Sequence, residues 1–104
     1  MRSQLDCLKG LTITKIVEIH DYVQLHFGDG VGVSIYNEIE VRPSSATIPQ
    51  FVGKTITLTV EKAAAIEFVF RDRSRINVDM HRRAYRGAEA LELNRRGHPP
   101  VIWN

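Results

Sequence analysis

Residues 10–37 read GLTITKIVEIHDYVQLHFGDGVGVSIYN, and residues 53–80 read GKTITLTVEKAAAIEFVFRDRSRINVDM. A shift of 43 residues lays one stretch on the other without a gap. Eight positions are identical: Gly10/Gly53, Thr12/Thr55, Ile13/Ile56, Thr14/Thr57, Val17/Val60, Glu18/Glu61, Phe27/Phe70 and Asp29/Asp72. Most other positions keep their apolar or polar character. Self-similarity at a fixed spacing marks a repeated supersecondary unit. Two copies are too few for a solenoid, which needs a stack of neighbours. The expectation is a pseudo-symmetric compact domain spanning residues 1–104.

Each copy reads as three strands. The first strands, 11–19 and 54–62, are rich in Thr, Ile and Val, residues that fit a pleated surface. In the second strand Val23, Leu25 and Phe27 alternate with Tyr22, Gln24 and His26, and in its counterpart Ile66, Phe68 and Phe70 take the apolar side. A period of two puts each set on one face. Gly28-Asp29-Gly30 is a tight hairpin turn, since glycine accepts positive φ; Arg71-Asp72-Arg73-Ser74 is a poorer turn at the same place and is expected to be longer. The third strands carry Val31, Val33 and Ile35, then Ile76, Val78 and Met80, with Pro43 closing the first of them.

The joins are legible as well. Leu5–Lys9 and Ile48–Val52 each suit one short helical turn, and His81–Gly87 a turn or short helix. Ala88–Leu93 and Pro100–Trp103 read as two further strands around a turn at 94–99. The fold class is therefore mostly β, with six to eight antiparallel strands in a half-barrel or sandwich and one or two short helical turns.

Composition bounds what such a domain can do. A chain of 104 residues buries roughly 65% of its unfolded surface, enough for one core without staples. The N-terminus has no apolar stretch of the secretory kind, and no segment is apolar for long enough to span a bilayer. One cysteine, Cys7, cannot close an internal disulfide; it is expected to be a buried small hydrophobe. Together these point to a cytoplasmic protein with no membrane partner. The formal net charge of +2 hides an asymmetry. From Glu18 to Glu40 there are five acids and no Lys or Arg; from Arg71 onward there are eight arginines and four acids. Local fields of one sign bear on partners rather than on fold.

Few residues carry the pattern of chemistry. His20 and His26 in a straight strand would lie about 20 Å apart, too far to share an ion, so no metal is expected. No serine sits in a nucleophile elbow. Gly28–Gly32 lies between strands and lacks the helix N-terminus that a phosphate loop requires. Glu38 and Glu40 would share a strand face, but one small β domain offers little room for a cleft between paired carboxylates. The expectation is a protein that is not an enzyme and has no cofactor. Two surfaces remain. Arg71, Arg73 and Arg75, with Arg82, Arg83, Arg86 and Tyr85, suit a small nucleic-acid-binding module, though acids dilute the charge. In the first copy Asp21, Asp29, Glu38 and Glu40 surround Tyr22, His26 and Tyr36, an acidic and aromatic patch suited to a basic protein partner.

A resemblance bears on the second surface. Tyr85-Arg86-Gly87-Ala88-Glu89-Ala90-Leu91-Glu92-Leu93, followed by Gly97 and by Val101-Ile102-Trp103-Asn104, resembles a Y-x-G-x-E-A-x-x-L element and closing tryptophan found in a family of small bacterial proteins. The turn at Phe27–Gly30 leading into Ile35-Tyr36-Asn37, and Gly53-Lys54, extend the likeness over residues 8–104. The chain departs from the pattern at Ala88, where proline is usual. The sequence looks like an immunity partner of a contact-dependent inhibition toxin. The resemblance implies a cytoplasmic protein that binds and neutralises a cognate bacterial toxin, with a nuclease as the expected toxin class. Asp21, Tyr22, His26, Asp29, Tyr36, Glu38 and Glu40 are then the candidate contacts, occluding a basic active site.

Overall fold

The two copies meet at their own equivalent residues. In the computed structural model, which describes residues 3–104, Thr12 and Thr55 form an antiparallel bridge with their hydroxyls 2.6 Å apart. The flanking bonds come in matched pairs. Gly10 N–H donates to Ile56 O at 2.7 Å, and Gly53 N–H to Ile13 O at 2.8 Å. Ile13 N–H donates to Lys54 O and Ile56 N–H to Leu11 O, both at 2.9 Å. Each pair interchanges under the 43-residue shift, so a local two-fold axis passes between the threonines. This junction also shortens the first strands, which begin at Lys15 and Ile56 rather than at 11 and 54. The residues before them use their backbone groups to join the copies.

The described residues form nine strands: β1 (Lys15–Ile19), β2 (Tyr22–Gly28), β3 (Val31–Ile35), β4 (Ile39–Arg42), β5 (Ile56–Glu61), β6 (Ala65–Phe70), β7 (Arg75–Asp79), β8 (Leu91–Arg95) and β9 (Val101–Trp103). They form two antiparallel sheets, β1-β2-β3-β8-β9 and β4-β7-β6-β5. Three 3-10 turns, at Gln4–Leu8, Ile48–Phe51 and Arg82–Ala84, are the helical content of the described residues. No helix among them is long and apolar enough to cross a membrane. The mostly β class holds, with nine strands where six to eight are expected. The additional strand is β4, which reads in sequence as the tail of β3.

β4 is separate because the copies exchange their fourth strands. β3 ends as the N–H groups of Tyr36 and Asn37 both donate to Ala90 O, at 2.9 and 3.2 Å. Asn37, 2% exposed, then donates from Nδ2 to Asp79 O at 2.8 Å. The chain is thereby handed to the other sheet, where Ile39 pairs with Val78. In the second copy β8 makes the reciprocal crossing, and Leu91 pairs with Ile35. Val78 is the counterpart of Ile35, so Ile39 and Leu91 correspond at a shift of 52, nine more than relates the rest of the repeat. Those nine extra residues form the segment around Arg82–Ala84.

The core lies between the sheets. Leu25, Phe27, Val33, Ile35, Leu91 and Leu93 face Ile66, Phe68, Phe70, Ile76 and Val78, all buried, as the alternation of β2 and β6 requires. The equivalent 3-10 turns close the ends with Leu5, Leu8 and Phe51, and the rings of Phe51 and Phe70 meet edge-on at 5.1 Å. Cys7 corrects the sequence reading, for it is exposed. A 3-10 turn has three residues per turn, so burying Leu5 and Leu8 leaves position 7 outward.

The two hairpin turns solve one problem differently. Asp29 and Gly30 have φ of 52° and 74°, the two-residue turn that suits strand twist. At the place of Gly30 the second copy has Arg73, also at φ 74°. Asp72 holds this longer turn. Its carboxylate accepts from Lys54 Nζ at 2.5 Å, from Ser74 N–H at 2.9 Å and from the Ser74 hydroxyl. The Lys54 bond, then those from Ser74, hold the Asp72 carboxyl well below the usual carboxylate range. A carboxylate depressed in the folded state stabilises the fold above its unfolded pKa of about 4, and the contribution fades as pH falls towards the folded value. Asp72→Asn is therefore expected to lower Tm at neutral pH. The gap from the parent should narrow between about pH 5 and about pH 2 in thermal melts; a constant gap would remove the ionised form from the account.

Candidate partner-binding surface

Tyr22 opens β2 and Tyr36 leaves β3, and the β2–β3 register sets them side by side. Their rings lie 5.2 Å apart at 41° on the outer face of the five-stranded sheet. Asp21 stands next to them in the β1–β2 turn, where its carbonyl accepts from Arg86 at 3.1 Å. Two further acids join from the second copy, Glu89 and Glu92, because β8 pairs with β3. Burial first, then the nearby Glu92 carboxylate, push the Tyr36 hydroxyl above its ordinary pKa; Glu89 and Tyr22 act in the same direction and a hydrogen bond with Ser34 opposes them. The hydroxyl thus stays protonated near neutral pH, able to donate to a partner. Asp21, Tyr36, Arg86, Gly87, Ala88 and Glu89 enclose a shallow recess of about 300 Å³.

The other sequence candidates lie apart from this cluster. His26 shares the outer face of β2, two pairs further along, with Gln24 Oε1 at 3.3 Å. Asp29 is at the opposite end of β2, in the β2–β3 turn. Glu38 and Glu40 belong to the other sheet. They line a recess of about 420 Å³ with Asn77, Asp79, His81 and Arg83, and Glu40 is ion-paired with Arg42. Asp79 accepts from the backbone N–H and ring of His81, at 2.9 and 2.7 Å, and these bonds hold its carboxyl below the usual range. Asp21, Tyr22 and Tyr36 are therefore brought together, while Asp29, Glu38 and Glu40 are not. Glu89 and Glu92 escape a reading of the first copy alone; only the pairing of β8 with β3 reveals them.

The arginines are dispersed. Arg71 and Arg73 sit in the β6–β7 turn, whereas Arg75 points from the outer face of β7 to Glu67 at 3.3 Å, a carboxylate that Lys62 shares at 3.0 Å. Arg82 and Arg83 are in the third 3-10 turn. Tyr85, read in sequence as free to stack on a base, packs half-buried against the core. Among the described residues no group of three or more His, Cys, Asp or Glu side chains is placed to hold a metal. No protein-family model, curated protein or solved structure matches the chain.

Proposed function

We propose that this is a binding protein of the immunity type, which neutralises a cognate toxin, of nuclease class, by covering its active site. The observation that carries the reading is the cluster of Tyr22 and Tyr36 with Glu89 and Glu92 near Tyr36 and Asp21 in the same recess. Adjacent tyrosines supply large contact area with little rotamer entropy to lose, the composition of an interface hot spot. Acids around them favour encounter with the basic cleft of a nucleic-acid enzyme. The resemblance of the Tyr85–Leu93 element to immunity proteins points the same way, and that element supplies Arg86, Glu89 and Glu92 to the cluster.

The experiment is a growth assay. The product of the adjacent upstream gene, or its C-terminal part, is expressed with and without this protein. Killing that is rescued by co-expression, with a complex recoverable from lysate, is the expected result. A harmless upstream product, or killing despite co-expression, would refute the reading and move attention to nucleic-acid binding through Arg71, Arg73 and Arg75.

A further inference from the structure

The two-fold relation between the copies makes one half of the protein a reference for the other. In the second half, β9 adds to the free edge of β8, with Leu91 opposite Trp103 and Leu93 opposite Val101. Trp103 thus faces inward, and its indole N–H donates to Glu61 at 3.1 Å. Glu61 also accepts from the Ser3 hydroxyl. Under this cover Leu91, Leu93 and Ile66 are 0–1% exposed. The first half has a residue at each corresponding position of this socket and, among the described residues, no counterpart of β9.

The counterparts are Glu18 for Glu61, Val23 for Ile66, Ile39 and Val41 for Leu91 and Leu93, and Ala46 for Ser3. These residues, with Ile35, Asn37 and Arg86, line an open groove of about 440 Å³ between β4 and the β1–β2 hairpin. Val23, Ile39 and Val41 are left half-buried. Asp79 N–H donates to Glu38 O across the β4–β7 pair, so by the alternation of an antiparallel ladder the amides of Ile39 and Val41 point away from β7. Asn37 Oδ1 is buried in the wall without a partner among the described residues. The inserted segment makes one bond on this edge, Glu38 N–H to Ala84 O, long at 3.4 Å; its counterpart, Ala90 N–H to Trp103 O, measures 2.7 Å.

We infer that this groove is a docking site for an extended strand of a partner protein, which pairs antiparallel with β4 and seats a tryptophan against Glu18. The occupant's pattern is that of Val101-Ile102-Trp103: apolar, outward, then an aromatic with an N–H donor. Main-chain bonds to Ile39 and Val41 hold the strand, as in other additions to a sheet edge, and the pocket reads alternate side chains. An isolated four-residue edge with charged Glu40 and Arg42 resists indiscriminate pairing, so the aromatic anchor supplies selectivity. The inference does not rest on the partner being a toxin.

The probe is a fluorescent peptide with the sequence of residues 98–104, HPPVIWN, titrated into the full-length protein and followed by anisotropy. Saturable binding at one peptide per chain is expected. Replacing the peptide's tryptophan with alanine should weaken it at least tenfold, and Glu18→Ala in the protein about fivefold. Val41→Pro, which removes an edge N–H that makes no bond to β7, should abolish it; Glu18 is exposed, so Glu18→Ala keeps the fold in view if the proline variant is unstable. Absence of binding at about 1 mM peptide, the weak end of specific recognition, would overturn the inference. So would sensitivity to Glu61→Ala instead of Glu18→Ala, which would mean that the peptide displaces β9. Concentration-dependent self-association lost in Trp103→Ala would assign the groove to a second copy and overturn the assignment to a foreign partner.

Discussion

A chain ended at Arg86 is expected to lose all cooperative structure, not only its C-terminal edge. The deletion removes β8, which lies between β3 and β9 in the five-stranded sheet. Ala90, Leu91 and Leu93 are completely buried there. Trimming a single buried leucine to alanine costs about 2–5 kcal/mol. Losing two of them with their strand approaches the whole stability of a domain this size, about 5–15 kcal/mol. The first copy cannot substitute its own fourth strand, because β4 is committed to β7. Withdrawing β4 to repair one sheet would strip the other, so the exchange couples the two halves. Far-UV circular dichroism should show no thermal transition. A truncated chain that melts cooperatively within about 5 °C of the parent, a shift worth only about 1 kcal/mol, would show that the sheets are independent.

The second large effect concerns the partner surface. Once the growth assay has delivered a toxin, Tyr36→Ala is expected to weaken the complex by at least about 2 kcal/mol, near thirtyfold in Kd. The pair Glu89→Lys and Glu92→Lys should weaken it further and slow association, with a reduced salt dependence. The pair Glu38→Lys and Glu40→Lys tests the rival face, and a change under about threefold is expected there, the usual outcome for charges outside a hot spot. Surface plasmon resonance separates the two patterns. If Glu38 and Glu40 dominate and Glu89 and Glu92 are silent, the interface lies on the four-stranded sheet, over the recess that contains Asp79 and His81.

These two tests differ in how far sequence alone could have designed them. Tyr22 and Asp21 are found from local features, and so is the inward set Val23, Leu25 and Phe27, because a strand's side chains alternate whatever lies beyond it. The 3-10 turns at Gln4–Leu8 and Ile48–Phe51 follow from short apolar spacings next to glycine. The acidic charge of the first copy is legible in the sequence as a count, while its placement is set by strand pairing. Glu38 and Glu40 follow Tyr36 closely in the chain, yet Asn37 turns the backbone into the other sheet between them.

By itself the sequence determined the duplication, the hairpins and every strand but β4, to within a few residues at their ends, since these rest on periodicity and turn chemistry within some thirty residues. Tertiary structure decided which strands are neighbours. The exchange of β4 and β8 brought Glu89 and Glu92 to Tyr36, gave Trp103 a socket against Glu61 and left the matching socket at Glu18 open. Such pairings are set by which edges find partners once both copies pack on one core, a non-local competition that local pattern does not encode.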